Sequence, residues 1–251
     1  MRPLAQLVHS RTRLAPRYAL FPLEGYPFSR LPTWDGAQVR VLASPQMGAA
    51  FVQYLIDLPA GGKGEFVAED EIETFFYVVS GSGMFFDRGD VKMSFTAGHF
   101  GLTPPGKGSH FEANSQTQLL ILRKKYEPTA GHERGAMHYG HESDVKQEVW
   151  AGDDGALLQT LIPDEFQFDL AMNIFTFSPG HGLPIVETHV MEHGALILQG
   201  KGLYYLDGEW MEVEKDDFLW MGPYCPQSFY ATGTQPAKYL YYKNVNREIP
   251  L

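Results

Sequence analysis

Thr74-Phe75-Phe76-Tyr77-Val78-Val79-Ser80-Gly81-Ser82-Gly83 and His193-Gly194-Ala195-Leu196-Ile197-Leu198-Gln199-Gly200-Lys201-Gly202 read as one element used twice, an apolar run closed by a Gly-x-Gly turn. The likeness extends outward. Upstream, Leu58-Pro59-Ala60-Gly61-Gly62 echoes Phe177-Ser178-Pro179-Gly180-His181. Downstream, Phe95-Thr96-Ala97-Gly98-His99-Phe100 echoes Val213-Glu214-Lys215-Asp216-Asp217-Phe218. Self-similarity at a fixed long period means one structural module built twice. Phe51–Leu58, Thr74–Val79, Thr117–Leu122, Asn173–Phe177 and Ala195–Leu198 are short, apolar and rich in aromatic or β-branched residues, and so predict strands. Turn chemistry at Pro59-Ala60-Gly61-Gly62, Thr103-Pro104-Pro105-Gly106, Ser178-Pro179-Gly180 and Asp207-Gly208 separates them. Many short strands at this spacing indicate an all-β sandwich or barrel.

Composition agrees. With 26 Gly and 17 Pro in 251 residues the chain carries too many breakers for a helical bundle, and its 17 Phe and 13 Tyr suit pleated surfaces. The repeat places the modules at about 37–126 and 161–251, with an N-terminal arm over 1–36 and a connector over 127–160. That connector holds His132, His138 and His141 among Glu127, Glu133, Glu142, Asp144, Glu148, Asp153 and Asp154, and reads as a solvated stretch, not a metal cluster. In the arm, Arg2, Arg11, Arg13 and Arg17 precede the first acid, Glu24. Pro3, Pro16 and Pro22 disfavour the amphipathic helix of a transit peptide, so an ordered arm is expected.

Thirty acidic against 20 basic residues give a net charge of −10, which repels nucleic acid. No apolar run is long enough to span a membrane. A single cysteine, Cys225, leaves no disulfide framework and suits a cytoplasmic setting. The expected partner is a small molecule.

Chemistry concentrates in Pro184-Ile185-Val186-Glu187-Thr188-His189-Val190-Met191-Glu192-His193-Gly194. Glu187, His189 and His193 share parity, so an extended strand would point all three to one face. One carboxylate and two imidazoles suit Mn, Fe, Co, Ni or Zn. The same letters contain H-x-x-E-H, a zinc-peptidase pattern that requires a helix. Pro184 and Gly194 bracket the segment and oppose one, and on a strand Glu192 would point away from the other three.

The spacing Glu187-x-His189-x3-His193-x6-Gly200 resembles the first motif of the cupin superfamily, with Glu and His exchanged. Asp217 to Gln227, which keeps Pro223, resembles a degraded second motif. The first module has Ala68, Asp70 and Thr74 at the corresponding ligand positions, while Gly98, Pro104, Gly106 and His110 retain the second motif's shape. Glu187-Thr188-His189-Val190, His193-Gly194-Ala195, Gly200-x-Gly202-x-Tyr204-x-Leu206-Asp207, Trp210, Met221-Gly222, Gln227 and Tyr239-x-Tyr241-x-Lys243-x2-Asn246-Arg247 resemble the (S)-ureidoglycine aminohydrolase family of bicupins. So does Glu71-x-Glu73-Thr74-Phe75-x-Tyr77-Val78-x-Ser80-Gly81.

This resemblance implies an all-β bicupin with a metal-free first barrel. It also implies manganese held by Glu187, His189, His193 and Gln227, and substrate contacts from Glu187, Gln227, Tyr239 and Lys243. Glu187 or Lys243 would move protons, and assembly as a homo-oligomer would follow. A neutral Gln227 leaves the ion net positive charge after Glu187 takes one unit. Without the resemblance, Tyr204, Tyr239 and Tyr241 read as packing, Lys243 as a solvated cation and Cys225 as a buried thiol. His181 reads equally as a mouth or a surface residue. Two other functions fit the same letters: a non-haem Fe(II) dioxygenase built on two His and a carboxylate, and a metabolite-binding bicupin without catalysis.

Overall fold

The computed structural model describes residues 11–87 and 91–246, so Arg247 of the tail motif and Arg2 and Pro3 of the arm lie outside the described residues. The arm and first module carry β1 (Arg13–Leu14), β2 (Tyr18–Phe21), β3 (Gln38–Ala43), β4 (Phe51–Leu58), β5 (Lys63–Phe66), β6 (Ile72–Ser80), β7 (Ser82–Phe86), β8 (Lys92–Thr96), β9 (His99–Thr103), β10 (Ser109–Ala113) and β11 (Thr117–Lys125). The remainder carries β12 (His138–His141), β13 (Glu148–Trp150), β14 (Asp153–Thr160), β15 (Leu170–Phe177), β16 (His193–Gln199), β17 (Lys201–Leu206), β18 (Glu209–Glu214), β19 (Phe218–Met221), β20 (Gln227–Ala231) and β21 (Ala237–Asn244). Among the described residues no helix is long and apolar enough to cross a membrane.

Each module is a pair of sheets. In the first, the six-stranded β12-β9-β6-β11-β4-β3 is joined by the four-stranded β5-β10-β7-β8. In the second, the eight-stranded β1-β2-β19-β16-β21-β15-β14-β13 is joined by the three-stranded β18-β17-β20. The duplication is visible in the backbone. Gly81 and Gly200 both take the left-handed conformation at the turn after the repeated run, with φ of 92° and 73°. At the next equivalent turn Gly98 has φ of 90° and Asp216, with no glycine to help it, φ of 73°.

Two stretches do more than their letters suggest. The arm crosses to the second module, where β2 pairs with β19 from Phe21↔Phe218 to Tyr18↔Met221, and the Arg11 guanidinium is gripped by Asp217 and Glu214. An edge strand is thereby covered. The stretch 127–160 supplies β12 to the first module and β13 and β14 to the second. Its polar letters carry little periodicity of their own; β9 and β15 provide the pairing that makes them strands. Its three histidines part company: His138 meets the Leu161 carbonyl at 3.0 Å, His141 meets the Ala97 carbonyl at 2.9 Å, and the exposed His132 lies beside Phe166.

Three buried clusters hold the molecule together. The interior of the first module is filled by rings, among them Trp34, Phe76, Phe85, Phe95 and Phe111. The second interior contains Phe177, Tyr204, Phe229 and Tyr239. A third cluster, with Phe51, Leu120, Leu122, Met172, Trp220, Leu240 and Tyr242, lies between the six- and eight-stranded sheets and welds the modules together. Each fully buried large side chain contributes about 1.5–3 kcal/mol.

One end of that weld is charged. Lys124 of β11 binds Asp169, which precedes β15, and lies 3.6 Å from the Glu73 carboxylate of β6; all three side chains are buried. Burial, then the neighbouring Asp169, pushes the Glu73 carboxyl well above the usual 4.5. The fold therefore holds this proton more tightly than the unfolded chain does. The resulting stability is complete below the ordinary carboxyl range and declines as pH rises above it. Thermal midpoints followed from pH 5 to 8 are expected to fall less steeply in Glu73→Gln than in the wild type, with the variant the more stable at pH 8. Parallel curves would contradict this account.

Candidate active site

The site forms where the loop from Leu183 to Glu192 runs beside β20 and turns into β16. The loop is not the regular strand expected from parity. Only Glu187 bridges, exchanging backbone hydrogen bonds of 2.8 and 2.9 Å with Gln227. Pro184 has no N–H to donate, which limits the ladder on that side. No helix forms over 184–194, so the peptidase geometry is absent. The convergence survives the irregularity. Glu187, His189, His193, Gln227, Tyr239 and Lys243 all line one cavity of about 60 Å³ inside the second module. At ~10–15 Å³ per water this is room for roughly four to six waters, suited to a small polar ligand.

The two histidines are fixed by their backs. His193 Nδ1 donates to the Tyr242 carbonyl at 3.0 Å and His189 Nδ1 to the Met191 carbonyl at 3.1 Å, so each Nε2 carries a lone pair turned into the cavity. These atoms face each other across 3.2 Å. Burial and the adjacent His189 depress His193 to about 3, and burial followed by Lys243 lowers His189 as well, so neither ring takes a proton at neutral pH. Two lone pairs held in this way repel unless a cation lies between them. The Gln227 amide nitrogen is the next group, 3.4 Å from His189 Nε2 and placed to donate to it, while the amide oxygen accepts from Tyr204. Among the described residues no three His, Cys, Asp or Glu side chains close into a metal cluster. The histidine pair with the Gln227 amide beside it is therefore the part of the expected donor set that the geometry draws together, and two imidazole nitrogens with that amide turned to present its oxygen would fit a divalent first-row ion.

The surroundings tune this centre. Glu187 is half-buried and its carboxyl is raised by burial, against the opposing pull of the Lys243 ammonium. Lys243 enters the cavity from β21 and makes no salt bridge among the described residues. The Tyr204 hydroxyl donates to Gln227 Oε1 at 3.4 Å and is hydrogen-bonded to Tyr239. Tyr241 also lines the cavity, accepts a 3.1 Å hydrogen bond from Asn173 and stacks on Phe175. His181 is held by Asp153 at 2.8 Å, and Cys225 is a buried thiol pushed up to about 11 by burial; neither lines the cavity.

Sequence reading missed the apolar wall of Trp150, Phe175, Leu183 and Met221. Trp150 is the least expected, since it comes from the supposed connector. Its edge-on contact with Phe175, at 5.4 Å between centroids, fixes its place.

Paired sheets and an inward histidine pair in the second module define a tandem cupin fold, and the cupin domain model matches residues 173–242. The (S)-ureidoglycine aminohydrolase of Escherichia coli K12 is 34% identical over 93% of this chain and 90% of its own; that of Arabidopsis thaliana is 28% identical over 92% and 76%. The crystal structure of a putative glyoxylate-induced protein from Pseudomonas aeruginosa superimposes with a TM-score of 0.88 at 30% identity, covering 98% of this chain and 94% of that one. The chain belongs to the (S)-ureidoglycine aminohydrolase family.

Proposed function

We propose that this chain hydrolyses (S)-ureidoglycine to (S)-ureidoglycolate and ammonia, as the names of its relatives indicate. The observation that carries the reading is the placement of the Lys243 ammonium in the same small cavity as the histidine pair. The substrate is an anion approaching a protein of charge −10, and it needs a local positive field. Lys243 provides one for the carboxylate. The apolar wall of Trp150, Phe175, Leu183 and Met221 excludes bulk water and strengthens that attraction.

Glu187, His189, His193 and Gln227 would hold the ion, which we take to be Mn2+. Bound there, it supplies Lewis acidity that polarises the substrate. In the reaction a water oxygen bonds to the central carbon, the carbon–amine bond breaks and the amine leaves as ammonia. Glu187, its carboxyl raised by burial, is suited to take the water proton and return it to the amine, and Lys243 is the second group able to do so. Tyr239 and the Gln227 amide offer neutral hydrogen-bonding groups to the ureido end.

The same reading assigns 1–36 to an arm, 37–126 to a metal-free barrel and 161–251 to the catalytic barrel, with 127–160 a connector that also lends strands to both modules. The ring-filled first interior supports the metal-free assignment. A cytoplasmic homo-oligomer goes with it, supported by the lone Cys225 and by exposed Ile185, Val186, Trp210 and Tyr230.

Ammonia release from freshly generated (S)-ureidoglycine tests the activity directly. Lys243→Ala is expected to retain its metal and raise KM by about 30-fold, equivalent to ~2 kcal/mol for one lost charge pair. An unchanged KM would remove the carboxylate-recognition role.

A further inference from the structure

Glu192 is the acid of the H-x-x-E-H string, and the proposed reaction does not use it. It lies outside the cavity lining yet is 1% exposed, a carboxylate sunk into the seam between the two modules. Its partners are specific. The Ala50 backbone N–H, just before β4 of the first module, donates to both carboxylate oxygens at 3.0 and 3.2 Å, and Trp220 Nε1 donates to Oε2 at 3.2 Å. Its own backbone N–H donates to the buried Asn244 side chain at 2.7 Å.

The residues on either side of it aim the histidines. The Met191 carbonyl receives His189 Nδ1–H, and His193 is itself one of the pair. A second observation puts the first module directly beneath this tripeptide. A Cβ on Gly194 would stand 2.3 Å from Gln53 Oε1 and 2.8 Å from Phe51 Cζ, both side chains of β4, so only glycine allows the approach.

We propose that Glu192 is a positioning residue: through it the metal-free barrel clamps the Met191–His193 backbone and sets the spacing of the two imidazole Nε2 atoms. The first module then has a task in the reaction although no metal-donor cluster is found in it among the described residues. Groups behind metal-bound side chains typically contribute 10–100-fold to metal affinity, and a carboxylate held by two donors through three hydrogen bonds is a rigid example. This inference rests on the metal reading of the site.

The test is Mn2+ titration of the whole metal-stripped protein by calorimetry, with the Mn2+ electron paramagnetic resonance spectrum of the loaded forms. Glu192→Gln keeps the shape but turns an amide NH2 towards one of the two donors. It is expected to fold with an unaltered circular dichroism spectrum, to bind Mn2+ about 10–100-fold more weakly and to show an altered resonance pattern. Trp220→Phe removes one donor and keeps most of the packing, and it should weaken binding in the same direction by a smaller factor. It serves as the decisive variant should Glu192→Gln not fold. A folded variant that binds Mn2+ as tightly as the wild type, with the same spectrum, overturns the positioning role. Failure of the wild type itself to bind Mn2+ would instead overturn the reading of the site on which the role depends.

Discussion

His193→Ala is expected to lose bound metal and ammonia release together. The ring is buried at the start of β16, its Nδ1 committed to the Tyr242 carbonyl and its Nε2 to the space shared with His189. Removing a supporting partner of a ligand typically costs 10–100-fold in affinity, so removing the ligand should cost at least about 100-fold. Activity should fall to background at any substrate concentration, because the loss lies in the reacting centre and not in substrate capture. Metal content of the purified variant and ammonia release from (S)-ureidoglycine are the measurements, with circular dichroism to show that the sheets remain. A variant that keeps stoichiometric metal and normal turnover would remove His193 from the site.

The second large effect is on stability. Lys124→Met should destabilise the protein by about 3–5 kcal/mol, since the Asp169 carboxylate would be left buried without its cation, beside a Glu73 that holds its proton. At ~2–4 °C per kcal/mol for a chain of this size, the thermal midpoint falls by roughly 6–20 °C. Asp169 also accepts the Glu127 backbone N–H at 2.6 Å, so its carboxylate cannot swing out to water without breaking a second contact. Adding Asp169→Asn to the Lys124→Met variant should recover much of the loss, because it removes the uncompensated charge. A midpoint within about 2 °C of wild type in the single variant would show that the charged end of the seam does not hold the modules together.

Much of this was legible from residue order. The repeated run and its turns place β6 and β16 correctly, Phe51–Leu58 is β4 residue for residue, and the left-handed turns at Gly81, Gly98, Gly200 and Asp216 fall where the repeat puts them. Glu187, His189, His193, Gln227, Tyr239 and Lys243 do line one cavity. The path was misjudged: Glu187 to Glu192 is a loop with one bridge, and the histidines converge because Nδ1 contacts to Met191 and Tyr242 rotate them together, not because a strand alternates.

What could not be read was long-range. Nothing in Glu148-Val149-Trp150 announces a strand that delivers a ring to a pocket wall, because β14 creates that strand by pairing. The arm's docking on β19 and the Ala50–Glu192 contact likewise join residues far apart in the chain. Local propensity carries no record of such pairings.

The proposed function requires that His189, His193 and the Gln227 amide hold a divalent cation. Diffraction from crystals of the Mn2+-loaded protein, collected on both sides of the manganese absorption edge, tests it without reference to turnover. The account predicts one dominant anomalous peak within bonding distance of both Nε2 atoms, inside the second barrel and absent from the first. A peak elsewhere, or an ordered histidine pair with no peak between its nitrogens, would contradict it.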